Sequence, residues 1–480
     1  MSTEQIDSDV FERIHFIYSQ ATPALREIAH IKRFLERYTG DHQFRTQILA
    51  GVLTLTDAAK ECGCELDVGS LRPVFHPAFM QFRAEATLDD WPLTFKWDLF
   101  YREMLDIRNS LHCAGDTWGK NRDFDLWRQR NIARTNFELA TAAQGIVHPT
   151  VAFELSSGCS VGCWFCGISA KKFGGHFALT EAGRREWEDV LAAVQGVLGA
   201  SMRTGFLYWA TDPLDNPDYI GFLEAYRDIV GIVPQTTTAI PLRNVELTRQ
   251  VLGMWRDSPT VPNRFSVLST GVLRRIHETF TPEDLLGVEL VLQNKKSDGV
   301  VKFLAGRGAA AKGKGATHLD DQTDTKRGDE RMSEGTIACV TGFLFNVVER
   351  TVRLISPTTP STTWPDGYIV FDTRRYDSPA DLPAILADLV AKHMRPTIQP
   401  DRPIRFTDAV RFDGSAAIPT ISSRWVRMAS KDFADAGRLI SFGSRNPMSI
   451  YEEVCDLGCT PVQTMSVLDS LWKAGLLRQD

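Results

Sequence analysis

The chain lacks what would place it in a membrane. No uninterrupted apolar run reaches the ~18 residues that a spanning helix requires. The N-terminal stretch Met1-Ser2-Thr3-Glu4-Gln5-Ile6-Asp7 has neither a basic region nor an apolar run, so it does not read as a signal peptide. Positive charge is also short. Lys and Arg number 54 against 60 Asp and Glu, a formal net charge of −6, which leaves no overall basic footprint for a nucleic-acid partner. Internal repeats and coiled-coil heptads are absent, which excludes solenoids and long helical rods. Cysteines number nine, an odd and scattered set, so a disulfide framework is not expected. Reduced thiols in a cytoplasm are the expectation.

What is present is an ordinary globular composition, 43% hydrophobic and 24% charged, in 480 residues. That length exceeds what one hydrophobic core serves, so two or three domains are expected. Residues 1–145 read as a helical domain, with 3.6-residue apolar spacing near Val10–Tyr18, from Ala24, and over Asp98–Leu105. Pro73, Pro77 and Pro92 cut its middle into short pieces, and Cys62, Cys64 and Cys113 read there as buried thiols. From 146 to 304 strands alternate with helices. Strands are expected at Val151–Leu155, Gly205–Ala210, Val233–Ala239, Arg264–Ser269 and Val288–Gln293. Helices are expected near Thr180–Leu198, Pro217–Asp228, Val245–Arg256 and Pro282–Leu286. Such alternation predicts βα units on a parallel sheet, hence an α/β fold. Residues 305–332 are Gly/Ala/Lys-rich and then mixed in charge, the pattern of a mobile loop. A β-hairpin and a helix follow in 333–399, and a small α+β unit in 400–480.

The chemistry concentrates at Cys159, Cys163 and Cys166, spaced C-x3-C-x2-C with Trp164 and Phe165 inside. Three thiolates can hold three irons of a [4Fe–4S] cluster and leave the fourth open to a small chelating molecule. Gly158, Gly162 and Gly167 allow a tight loop whose N–H groups face the sulfur. A structural zinc site would want a second C-x2-C unit, and none lies nearby.

This motif and its strand context resemble the radical SAM superfamily. The resemblance implies a partial (β/α)6 barrel and cleavage of S-adenosyl-L-methionine (SAM) on the open iron, with Phe165 against the adenine. It also implies an electron donor of flavodoxin or ferredoxin type. Where that family carries Gly-Gly-Glu-Pro for the SAM amino group, this chain has Ala210-Thr211-Asp212-Pro213, with both glycines missing and Asp for Glu. Thr237 and Ser269 offer hydroxyls to the ribose.

Over residues 150–395 the resemblance narrows. Cys339 in Cys339-Val340-Thr341-Gly342-Phe343, Leu354-Ile355-Ser356-Pro357, and Trp364-Pro365-Asp366-Gly367-Tyr368 resemble the epimerases of proteusin-type precursor peptides. That likeness implies conversion of L- to D-residues in a ribosomally made precursor of leader and core. Cys339, placed in an apolar strand, would return hydrogen to a Cα radical. Thioether-forming and backbone-excising maturases stay open, as does a non-catalytic iron–sulfur protein. Cys455 and Cys459 are too few for a second cluster with four cysteine ligands. Residues 400–480 resemble PqqD-like winged-helix modules that grip leader peptides.

Overall fold

The computed structural model describes residues 9–299, 302–310, 332–408, 410–414, 416–419, 426–427 and 431–479. The chain is a mixed α/β protein in which helix predominates over strand. No described helix is long and apolar enough to cross a membrane.

The strands that carry the site are β1 (Val151–Glu154), β2 (Thr237–Thr238), β3 (Asn263–Val267), β4 (Val288–Leu292), β5 (Gly342–Asn346), β6 (Thr351–Pro357) and β7 (Tyr368–Arg375). β1 runs parallel to β5, and β6 and β7 follow antiparallel beyond it. On the other side of β1, single bridges through Phe206 and Gln235 lead to β2, then parallel to β3 and β4. The sheet is therefore open, ending at β4 and β7 among the described residues. Four helices, Glu181–Leu198, Tyr219–Val230, Val245–Asp257 and Thr270–Thr279, cover its outer face.

Side-chain alternation sorts the two faces. Val151, Phe153, Phe265, Val267, Phe343 and Phe345 enter the main core beneath the helices. Phe153 meets Trp187 edge-on at 5.1 Å and stacks on Phe345 at 5.1 Å. Ala152, Phe206, Leu344 and Ile355 form a second cluster on the opposite, concave face, which we call the lumen.

Residues 9–145 are mainly helical as read, with Pro73, Pro77 and Pro92 each in a helix's first turn. Helix Pro23–Gly40 and the short helices after it build a separate core around Phe34, Phe44 and Phe75. Helix Val10–Ser19 instead packs Phe11 and Ile14 into the main core. Cys62 and Cys64 are buried, whereas Cys113 is exposed at the end of its helix, against expectation.

Other expectations are corrected. The segment Gly205–Ala210 bonds into the sheet at Phe206 alone, and the Ala210 N–H donates to the Glu154 side chain instead. Pro282–Leu286 forms hydrogen-bonded turns rather than a helix. Cys339 precedes β5 and is not in a strand. The loop expected at 305–332 begins with a short helix, Gly306–Ala310, and its residues 311–331 lie outside the described residues. In the C-terminal unit, helices Lys431–Ser441, Pro447–Asp456 and Pro461–Lys473 enclose one more core, and Leu477–Arg478 pairs with Arg405–Phe406.

His148, just before β1, gives this fold a pH dependence. Its buried ring lies 2.8 Å from Thr341 Oγ1, and burial, then the nearby Arg128, His112 and Arg134, hold its pKa well below 6.5. The folded pKa lies below the unfolded one, so the unfolded chain binds the extra proton. Stability is retained above the unfolded pKa of about 6.5 and falls as pH drops beneath it, by about 1.4 kcal/mol per pH unit for one proton. His148→Asn, which tolerates the φ of +55° there, should flatten that acid slope by one proton in urea titrations at several pH values. An unchanged slope would show that His148 is not the group responsible.

Candidate active site

β1 ends at Glu154, and the chain then forms a short hairpin, Ser156–Ser157 against Gly175–His176. The three cysteines lie between its arms. Gly158 has φ +74°, and a Cβ there would come 2.4 Å from the Lys172 carbonyl oxygen, so a side chain would force the loop open. Cys159 N–H donates to Lys171 O at 2.8 Å. Two backbone N–H groups point at sulfur: Val161 to Cys159 Sγ at 3.5 Å and Ala170 to Cys166 Sγ at 3.4 Å. Such donors favour thiolate. Burial, however, pushes the Cys159 and Cys163 thiols up to about 12, with Asp212 adding to the rise at Cys159 and Cys166 at Cys163. Arg307 partly opposes the rise at Cys163. Among the described residues no three His, Cys, Asp or Glu side chains converge as a single metal ion requires.

The segment before the undescribed 311–331 backs this loop. Arg307 N–H donates to Cys166 O at 3.0 Å, and a Cβ on Gly306 would lie 2.7 Å from that same oxygen. Ile337 fills the space over Gly167, leaving no room for a Cβ there. Trp164 and Phe165 meet edge-on at 5.4 Å, and Lys302 Nζ lies 5.3 and 4.8 Å from their ring centres.

The turn Ala210–Asn216 stands beside the loop. Asp212 is buried, and its carboxylate accepts from Thr238 Oγ1 at 2.8 Å, Ala239 N–H at 2.7 Å and Leu214 N–H at 3.1 Å. Burial raises its pKa to about 6 against those bonds. Asp212 thus clamps the turn to the end of β2. Ala210 N–H donates to Glu154 Oε1 at 2.9 Å, while the buried Thr211 hydroxyl has no partner among the described residues. Ser269 caps helix Thr270–Thr279, accepting from Val272 N–H at 3.1 Å.

Asp215, which sequence reasoning passed over, is the residue that joins turn and loop. Its side chain is 2% exposed and accepts from Ser160 N–H at 2.9 Å, from the Ser160 hydroxyl, and from Arg243 at 2.7 Å. Asp215→Ala should destabilise the protein by about 1–3 kcal/mol, because the donors facing that site lose their acceptor. Thermal unfolding of the variant at an unchanged midpoint would refute this role.

The lumen holds the remaining candidates. Thr237 Oγ1 donates to Tyr208 OH at 2.8 Å, and Tyr208 OH donates to Gln235 Oε1 at 2.7 Å. Arg264 pairs with Glu289 at 2.9 Å, and both Arg264 and Cys339 perturb the Tyr208 hydroxyl. Cys339 lies on the segment that descends from the cysteine loop, at Ile337, to the N-terminal edge of the sheet, where Thr341 N–H donates to Pro149 O. It is half-buried and packs against the apolar clusters that hold Ala338 and, on another side, Leu139, Ala143 and Ile146. Burial pushes its thiol up to about 12, with Arg264 pulling the other way.

The chain is 38% identical over 467 residues to uncharacterized protein y4wI of Sinorhizobium fredii, covering 97% of this chain and 90% of that one. The two belong to one family. No family model matches the chain, and no solved structure matches it. The aligned length takes in helical N-terminal region, sheet and C-terminal unit alike, so all three are parts of the shared family architecture.

Of the residues expected at the site, Cys159, Cys163, Cys166 and Phe165 share one loop, with Thr211 and Asp212 on the adjoining turn. Cys339 and Thr237 line the lumen through Tyr208. Glu154, Asp215, Arg264 and Glu289 were not anticipated. Asp215 follows Asp212 by three residues in one Pro-containing turn, a usable signal; lone charges in strands gave none.

Proposed function

We propose that this chain is a radical SAM enzyme, built on a partial (β/α)6 barrel, that epimerises residues of a ribosomally made peptide. The carrying observation is the pairing of a three-cysteine loop at the C-terminal edge of the parallel strands with a buried thiol, Cys339, in the lumen below. The donor set fits a [4Fe–4S] cluster: three thiols on one loop, with N–H groups aimed at two of them. Cys159, Cys163 and Cys166 would hold it. For SAM, Phe165 supplies an aromatic face and Thr211 a buried hydroxyl still in want of a partner among the described residues. Asp212 serves by holding the turn. When bound, cluster and SAM supply a carbon radical that takes hydrogen from the substrate Cα.

The chain's own part is the return of hydrogen. A planar Cα radical quenched from the face of abstraction regenerates the L-residue, so the donor must stand elsewhere. Cys339 is held as neutral S–H, because its pKa of about 12 keeps the proton on sulfur throughout the physiological range. The S–H bond breaks, the Cα–H bond forms, and the resulting sulfur radical needs one electron and one proton from the external reductant. The C-terminal helices and short sheet support a winged-helix-like reading of residues 400–480 as a leader-binding unit. Anaerobic reconstitution with iron and sulfide, followed by assay of 5′-deoxyadenosine, tests the reading. No iron–sulfur absorbance and no deoxyadenosine would overturn it.

A further inference from the structure

A cavity of about 420 Å³ lies where helix Arg122–Leu139, strand β7 and the C-terminal unit meet. Its lining holds Arg130, Arg134, Lys392, Arg395, Arg402 and Arg478, and no Asp or Glu. In a chain of net charge −6 this is a pronounced local reversal. Some of these cations have carboxylates behind them: Arg134 pairs with Glu138, Lys392 with Asp372, and Arg478 with Asp408. Arg130, Arg395 and Arg402 have none within ion-pair distance among the described residues. Arg130 is 9% exposed, lies 4.8 Å from the Trp472 ring centre, and donates to the carbonyl oxygens of Arg395 and Pro396. Burial lowers its pKa to about 10, with the charge of Asp123 only partly opposing that.

The walls say more than charge. β7 is the last strand of its sheet among the described residues, and Ile369, Val370 and Phe371 of its first half line the cavity. An edge strand offers unpaired N–H and C=O groups to an extended chain. Trp364 and Trp472 add apolar surface. Tyr368 and Val370 of the same strand also pack in the lumen cluster beside Cys339, so β7 connects cavity and lumen.

We propose that this cavity binds an acidic peptide segment, laid along the edge of β7 with its carboxylates toward Arg130, Arg395 and Arg402. That the peptide is the enzyme's substrate precursor rests on the function proposed above; the acidic-peptide site itself does not. A nucleic acid would use the charge but not the strand edge.

The test uses the purified full chain and three fluorescent probes of similar length: an alternating Glu–Val peptide, its Lys–Val counterpart and single-stranded oligothymidylate. The Glu–Val peptide should bind, with affinity falling as salt rises, and should slow amide exchange across Tyr368–Arg375. Arg395→Glu with Arg402→Glu should weaken binding by about ten-fold or more. Arg26→Glu, on the N-terminal helices, should not. Should the reversed pair fail to fold, Arg395→Gln with Arg402→Gln removes the charges more gently and should show the same direction. Equal or tighter binding of oligothymidylate, unaltered affinity in a folded charge variant, or no binding of the Glu–Val peptide would overturn the proposal. These readouts need neither iron nor SAM. Lost peptide binding with intact SAM cleavage therefore counts against the cavity, and absent SAM cleavage with intact peptide binding counts against the enzymatic reading.

Discussion

Cys339→Ala is expected to separate the two halves of the proposed reaction. The substitution leaves the cysteine loop and the Ala210–Asn216 turn untouched, so SAM cleavage should continue. D-residue formation should fall to background, because no other cysteine is placed to replace the lost S–H. Cys64 lies in the separate N-terminal core and Cys113 is exposed on a helix end. Cys339→Ser should fare no better, since an O–H bond is too strong to give hydrogen to a Cα radical. In deuterated water the unaltered enzyme should place deuterium at Cα of each epimerised residue, as a thiol exchanges its hydrogen with solvent. Truncation of one sulfur at this half-buried site should cost about 1 kcal/mol, too little to unfold the protein. Mass spectrometry and chiral amino-acid analysis read the result. Normal yields of deuterated D-residue from the Ala variant would make Cys339 a packing residue.

Cys159→Ala, Cys163→Ala or Cys166→Ala should each abolish iron–sulfur absorbance and deoxyadenosine release. Each removes one of the three thiol anchors on the loop. Loading should also be pH-dependent. Cys159 and Cys163 hold their protons up to about 12, so metal must displace a proton from each, and reconstitution should improve as pH rises from neutral. Iron content and visible absorbance measured across that range check the sign. A single-alanine variant with full turnover would remove the cluster assignment.

Much of this site was legible because it is local in the chain. Cysteines separated by three and two residues are confined to one loop, and a strand before them fixes where that loop sits. Gly158 was legible for the same reason: its φ of +74° and the approach of Lys172 belong to one short hairpin. The helices Glu181–Leu198, Tyr219–Val230 and Val245–Asp257 showed their apolar period and formed within a few residues of expectation, whereas Thr270–Thr279 was not anticipated. Ser269 was ambiguous in sequence, because a hydroxyl before a helix serves equally as a cap and as a ligand contact; in the structure it accepts from Val272 N–H.

The amino-acid sequence by itself determined the thiol loop, the order of strands and helices, and the absence of any long apolar span, since each depends on neighbours along the chain. Tertiary structure alone decided which carboxylate does what. Asp212 and Asp215 look interchangeable in sequence, yet one clamps β2 and the other holds Ser160 and Arg243. The fold also decided that Cys339 faces Tyr208 and Arg264, residues more than 70 positions away, and that arginines from 130 to 478 share one acid-free cavity. Charge in a sequence carries no direction. Only when helix, strand edge and C-terminal unit pack together do those cations lose their separate solvent and come to face one space.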